Sequence, residues 1–355
     1  MDMNQQSLTA APPILRGAVP FLGMSSALAR DPLAVFSRAR ALGDVVRLAV
    51  PGRHAVIVLA HPAHIRRVLQ ENYGNYRRTP FHDRLKIVLG DGLVTSEGER
   101  WHRQCQLLQP AFRAERIRRF IPIMSELSAS CAVRWDQAAK TGQQLDISRE
   151  MSELALGIVV RCMFGQETDA DDVGIGAAVH VAQGWLASRF WSVAPNWTER
   201  LPTLANRRFR RALATLNGTV ERIITRRLRA AEPGNDLLGM LLAAQGEHAI
   251  AIDPRQVRDE VMTMLLAGHE TSAAALTWVW HLLAENPCAA EEICDELDRV
   301  RGRGGNPQAE DLAKLSMTRA VIQETMRLYP PVGWFGRLAA RPDRIGEYRI
   351  PTDTR

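Results

Sequence analysis

Lysine is nearly missing from this chain: only Lys86, Lys140 and Lys314 stand among 45 basic residues, so the net charge of +6 is an arginine charge. Arginine runs such as RRFRRAL (207–213) and RAERIRRF (113–120) invite a nucleic-acid reading. Apolar residues recur at helical spacing through such regions, as at Val220, Ile223, Ile224 and Leu228, which points to solvated helix faces instead. No nucleic-acid partner is expected, and a basic face of this kind steers an acidic protein partner. Cysteine is scarce and scattered at 105, 131, 162, 288 and 294, with no CxxC pair. That excludes a disulfide framework and a zinc site and suits a reducing cytoplasm. No uninterrupted apolar run reaches ~18 residues, so no membrane span is expected. The polar start MDMNQQSLTAAPP lacks the apolar core of a signal peptide. With 46% hydrophobic and 24% charged residues, the balance is that of a soluble globular protein.

Helical periodicity dominates what is present. The first thirty residues read as loop, with Pro12, Pro13 and Pro20, and a helix follows around 31–42. Residues 45–60, VVRLAVPGRHAVIVLA, form two alternating β-branched runs about Pro51-Gly52 and read as a β-hairpin. From His61 onward, segments near 62–70, 98–108, 113–139, 148–164, 174–190, 203–230 and 235–245 carry three-to-four-residue apolar spacing. An extended pair around 336–350 closes the chain. The expected fold class is mainly α with a small β-sheet drawn from both ends, in a single domain over 1–355.

One segment opposes its surroundings. Residues 254–285 read as one long helix: Asp253 caps it, Pro254 suits the first turn, Gln256 sits at the capping-box position, and Asn286-Pro287 ends it. At ~1.5 Å per residue it spans ~47 Å, and apolar residues on both faces of its middle predict a path through the protein. Yet its centre reads Gly268-His269-Glu270-Thr271. A glycine there costs ~1 kcal/mol relative to alanine, and a carboxylate costs more unless paired. The two-histidine zinc grip HExxH is excluded because residue 273 is alanine. A kink with Thr271 bonded back to the preceding turn accounts for the glycine and the threonine, though not for the glutamate. The alternative is a helix opened at Gly268, with a hydroxyl and a carboxylate beside a small groove: the parts of a proton-delivery site.

A second group lies at 324–331, ETMRLYPP. Glu324 and Arg327 share a helix face within 317–329, and the apolar residues around them predict a buried pair. AGHET (267–271) followed by ETMRLYPP resembles the cytochromes P-450, the haem-thiolate monooxygenases, as a soluble bacterial-type member. The first motif is similar to the family's A-G-x-[DE]-T and the second to its E-x-x-R. GDGLVTSEGERWHRQCQLLQPAF (90–112) and PPVGWFGRLAARPDRIGEYRIP (330–351) resemble further family segments, in the family's order.

The resemblance implies the cytochrome P-450 fold, haem b as cofactor, O2 and an apolar organic substrate. It also implies a separate redox partner (a ferredoxin or flavodoxin with its reductase) and a cytoplasmic monomer. Thr271 would protonate iron-bound dioxygen and Glu270 would feed the relay. Ala267 and Gly268 would leave room beside the haem, and Trp101 and Arg337 would bind its propionates. Glu324 and Arg327 would be a structural ion pair. Ala267, Thr271, Val332, Trp334 and the loop 77–95 would touch substrate, with FWSVAPNW (190–197) in the access lid.

Two departures from the family pattern stand out. Position 105 is cysteine where many relatives place Arg or His, so His102 or Arg103 would have to replace that contact. No cysteine lies in the phenylalanine-glycine-rich loop that carries the family's proximal thiolate. By resemblance the sequence corresponds to about the first three-quarters of the domain, which implies a chain without its axial ligand and without activity of its own. A loss of ~500 Å² of apolar burial would remove ~12 kcal/mol at ~25 cal/mol per Å². Two alternatives stand beside the monooxygenase: a non-catalytic remnant of a truncated gene, and a helical module binding apolar ligands without haem.

Overall fold

The computed structural model describes residues 11–17, 23–50, 55–165, 174–190, 196–229, 234, 236–247, 253–302 and 308–355. In chain order they form β1 (Ile14–Leu15), α1 (Ser25–Arg30), α2 (Pro32–Leu42), β2 (Val45–Leu48), β3 (Val56–Leu59), α3 (Pro62–Arg66), β4 (Tyr76–Arg78) and α4 (Phe81–Leu89). Then come α5 (Gly98–Leu108), α6 (Ala114–Arg118), α7 (Ile121–Thr141), α8 (Ile147–Phe164), α9 (Gly174–Phe190), α10 (Leu204–Arg229) and α11 (Leu237–Glu247). Last are α12 (Pro254–Glu285), α13 (Pro287–Arg301), α14 (Ser316–Leu328), β5 (Arg337–Ala339), β6 (Asp343–Ile345) and β7 (Tyr348–Ile350). The chain is mainly helical with small sheets, and it packs as two compact units.

The first unit holds residues 1–87, 184–207 and 335–355. β2 pairs with β1 in parallel and with β3 antiparallel, Val45 standing opposite Leu59. The turn at Pro51-Gly52 lies outside the described residues. β4 pairs antiparallel with β5, Tyr76 opposite Ala339, so the two ends of the chain meet in one ladder. β6 and β7 pair with each other. Asp343 fastens this end: it accepts from Arg67 at 2.6 Å, Tyr76 Oη at 2.7 Å and Asn72 Nδ2 at 3.0 Å. Burial alone would raise its carboxyl, but these donors hold it down to about 2. Within the described part of the opening segment, the loop reading is corrected at Ile14–Leu15, which form β1, and at Ser25–Arg30, which form α1. Met24 just before that helix and Leu28 within it are buried with Val35, Ala39 and Leu48.

The second unit holds residues 88–183 and 208–334. Its centre is α12, packed along α8 and flanked by α11, α13 and α14. Asp253 accepts from Arg255 N at 3.0 Å, and Pro254 occupies the first turn. α8 starts the same way, Asp146 accepting from Ser148 N at 3.0 Å and Arg149 N at 3.3 Å. α13 contributes a different cap: Glu296, buried, reaches the start of α14 and accepts from Met317 N at 2.7 Å, Thr318 N at 2.9 Å, Thr318 Oγ1 at 2.8 Å and Ser316 Oγ at 3.1 Å. Burial opposes its charge, but four donors outweigh it and set the carboxyl at about 2.

Two expectations about these helices are corrected. α12 does not pass through the protein with both faces covered. Val257, Val261, Met262, Leu265 and Leu266 are buried, whereas Ala267 and Glu270 are exposed and so are Trp278 and Trp280 further on. Neighbouring helices cover one side of its 257–271 stretch; further on, Trp278 stacks on Tyr329 at 4.0 Å and Trp280 meets Trp135 of α7 at 5.1 Å. The Glu324–Arg327 pair is not buried either. It is a two-bond fork, 2.6 and 2.7 Å, with side chains 55% and 65% exposed. Its apolar neighbours Ile322, Met326 and Leu328 are themselves exposed, because α14 packs on α12 and α13 through its other side, around Thr325. A pair this open contributes under ~1 kcal/mol.

Candidate functional site

The site is assembled on α12 and on the loop before α5. At Gly268 the helix continues unbroken, and of the two alternatives the back-bonded threonine is the one present. Thr271 Oγ1 donates to Ala267 O at 2.7 Å, the local back-bond that satisfies a threonine inside a helix. Gly268 lies where an added Cβ would stand 3.4 Å from Val159 Cγ2 of α8, an ordinary contact, so packing alone does not demand a glycine there. Ala267, Glu270 and Thr271 lie on the open side, and no partner for the Glu270 carboxyl stands among the described residues. Although open on one side, the carboxyl has enough protein around it that burial pushes it above its ordinary value. A hydroxyl and a carboxyl raised by burial therefore stand at adjacent positions beside a one-carbon side chain.

The opposite side of the same turn is closed. His269 is 1% exposed, with Nε2 2.9 Å from Ser152 Oγ on α8 and Nδ1 3.2 Å from Gln183 Nε2 on α9. No motif in the sequence assigns His269 a role. Its only signal was a titratable residue at the centre of an apolar run.

Two turns earlier, α12 grips the loop before α5. Asp91 N donates to Asp259 Oδ2 at 2.8 Å and Leu93 N to Glu260 Oε2 at 3.0 Å. From α5, Gln104 Nε2 donates to Asp91 O at 2.7 Å and Gln104 Oε1 accepts from Ser96 Oγ. Glycine is required here by close approach. A Cβ on Gly92 would stand 2.1 Å from Thr263 Oγ1 and 2.7 Å from Asp259 O, and Gly90 has φ +59° against the Asp259 carboxylate. Glu260 is 1% exposed, and its Oε1 has no partner. Burial, outweighing the Leu93 bond, raises its carboxyl to about 7. The readable signal for this grip was the Gly90-Asp91-Gly92 triplet, a turn sequence set against a helix with two adjacent acids.

The grip sets where α5 begins, and so where Trp101 stands. Trp101 is half-buried, edge-on to His102 at 5.1 Å, and its indole N–H has no acceptor among the described residues. In the other unit, Arg337 bonds only to Gly336 O, at 2.9 Å, and no carboxylate faces it among the described residues. Each donor is thus available, in its own unit, to an anionic group. The thiols are another matter. Cys131 and Cys162 are buried, and burial raises both, Cys162 to about 11; Cys131 also points at Glu150. Burial opposes the thiolate form at both, and no cluster among the described residues is suited to a metal ion. Trp101 and Arg337, each within its own unit, are donors of the kind that bind a carboxylate. Val332 and Trp334 are exposed, as is Ala267, so the described residues do not enclose a substrate there. Residues 191–195, the centre of the expected lid, lie outside the described residues.

A mainly helical chain, with one long helix broken chemically by Gly-His-Glu-Thr and a later helix carrying a Glu–Arg fork, has the layout of the haem-thiolate class. The chain belongs to the cytochrome P450 family, whose model matches residues 12–355. It is 34% identical to cyclooctatin synthase of Streptomyces melanosporofaciens over 342 residues, covering 94% of this chain and 72% of that one. It is 32% identical to pentalenene oxygenase of Streptomyces avermitilis, covering 95% and 74%. Its fold matches the haem domain of cytochrome P450DA with a TM-score of 0.85 at 23% identity, over 98% of this chain and 76% of that one.

Proposed function

We propose that the chain acts as a haem-dependent monooxygenase, placing one atom of O2 into an apolar organic substrate. The carrying observation is the open side of α12, where the Thr271 hydroxyl stands beside Ala267 and a Glu270 carboxyl that burial raises and that has no partner among the described residues. The relatives' names support an unsaturated hydrocarbon or its alcohol as substrate class, since they include pentalenene oxygenase and cyclooctat-9-en-7-ol 5-monooxygenase.

Bound haem would supply the activation of O2. Trp101 and Arg337 are the donors we assign to its carboxylates, a charge-assisted bond in each case. Thr271 donates to Ala267 O at rest, so its hydroxyl must let go of that carbonyl before it can give a proton elsewhere. Glu270 then restores the proton, and burial shifts its carboxyl in the direction that favours holding one. A positioned acid of this kind contributes roughly 10²–10⁴-fold. Ala267 and Gly268 supply clearance, while Val332 and Trp334 join Ala267 and Thr271 against the substrate. The exposed Glu324–Arg327 fork is a structural pair. Electrons come from a separate ferredoxin- or flavodoxin-type partner, and the setting is a cytoplasmic monomer; among the described residues no helix is long and apolar enough to cross a membrane.

With haem, substrate and an electron donor supplied, Thr271→Ala is expected to keep O2 consumption while product formed per O2 falls severalfold. An unchanged ratio removes the proton-route assignment.

A further inference from the structure

The residue between Gly268 and Glu270 is left without a task by the reading above, and its surroundings are the most specific on α12. His269 meets α8 through Ser152 and α9 through Gln183, and its ring lies edge-on to His180 of α9 at 5.7 Å and 80°. The chemistry of the partners fixes its proton. A glutamine amide nitrogen only donates, so Nδ1 of His269 accepts; the ring proton is then on Nε2 and is donated to Ser152 Oγ. One neutral tautomer satisfies both bonds. A second proton on Nδ1 would face the Gln183 N–H and place an unpaired charge in a closed site. The titratable group that touches His269 is His180, and no carboxylate touches it among the described residues. Burial and then His180 push its pKa down, in agreement with the bonding.

At 100° per residue, position 269 lies about 200° from both 267 and 271, so His269 anchors α12 from directly behind the open side. We propose that His269 is a positioning residue: its paired bonds to Ser152 and Gln183 set the rotation of α12, and so link the α9 turn carrying His180 and Gln183 to the stance of Thr271 and Glu270. The lever is short. With Cα atoms on a cylinder of ~2.3 Å radius, a rotation of ~25° moves a Cα by ~1 Å. A misplacement of that size at a reacting group can cost ~10²-fold. The role in turnover rests on the monooxygenase reading; the mechanical link does not.

The test uses the full chain and three variants. Gln183→Leu removes one bond; His269→Gln keeps an N–H toward Ser152; His269→Asn keeps an acceptor toward Gln183. The first readout needs no haem. Ring-nitrogen NMR is expected to show Nε2 protonated and Nδ1 bare at neutral pH, and Gln183→Leu is expected to speed amide exchange at 267–271 about tenfold while α13 and α14 keep their rates. His269→Gln and His269→Asn are expected to fall between wild type and Gln183→Leu. The reverse tautomer, unchanged exchange at 267–271, or a uniform rise across the unit overturns the link. The second readout is product per O2, expected to fall in Gln183→Leu with KM held. If exchange responds and this ratio does not, the catalytic half of the proposal is overturned. If wild type uses no O2, the monooxygenase reading has failed and the first readout still decides the link.

Discussion

The two sides of one turn of α12 differ in every respect that chemistry can use. Behind it, His269 is buried and both ring nitrogens are bonded. In front, Ala267 and Glu270 are exposed, and the Thr271 hydroxyl is satisfied only by its own helix. The back holds the fold and the front has spare bonding capacity. A reacting group must be both fixed and free, and a helix supplies this by dividing the two demands between opposite faces. Two buried glutamates repeat the contrast. Glu296 meets four donors and serves as a cap at about 2, whereas Glu260 has one bonded oxygen, one without a partner, and a carboxyl at about 7.

The comparison can be pressed from its largest effect downward. Leu265→Ala, at a fully buried position, is expected to cost ~2–5 kcal/mol by urea denaturation, whereas Ala267→Ser, two residues away on the open side, stays within ~0.5 kcal/mol. Equal costs would abolish the distinction of faces. Gly92→Ala drives a Cβ into Thr263 and the Asp259 backbone and is expected to cost ~1–3 kcal/mol; a neutral result would mean the loop is not held as described.

Smaller effects come from protons. The Glu260 carboxyl rises from 4.5 to about 7 on folding, so its stabilising contribution is complete below about 4.5 and is lost as pH climbs through about 7. Glu260→Gln cannot ionise, so its stability relative to wild type is expected to improve between pH 5 and pH 8; a flat difference contradicts the assignment. His269 runs the other way. With its pKa lowered from 6.5, its contribution is present above 6.5 and lost as pH falls below that value. Replacing it by Gln is expected to flatten that acid limb. The smallest change is Thr271→Ala, which forfeits one helix back-bond and is expected to move stability by under ~1 kcal/mol.

Much of this arrangement can be read from the residues alone. The ends of α12 follow from Asp253, Pro254 and Asn286-Pro287, and the antiparallel β2–β3 pair follows from two β-branched runs. What escapes such reading depends on partners distant in sequence. The pairing of β4 with β5 joins positions 76 and 339, and no local pattern states it. The inward turn of His269 and Glu260 depends on α8, α9 and the 90–96 loop. Apolar neighbours of Glu324 and Arg327 suggested burial, because a sequence shows that a residue is apolar without showing whether anything covers it.

The most direct measurement is a haem titration of the full chain, followed by tryptophan quenching and absorbance, beside Trp101→Phe and Arg337→Ala. Hydrogen bonds to charged groups contribute ~1.5–3 kcal/mol, so saturation at one haem per chain is expected, with each variant binding roughly 10- to 100-fold more weakly. No saturable binding, or variants that bind as wild type does, would contradict the account.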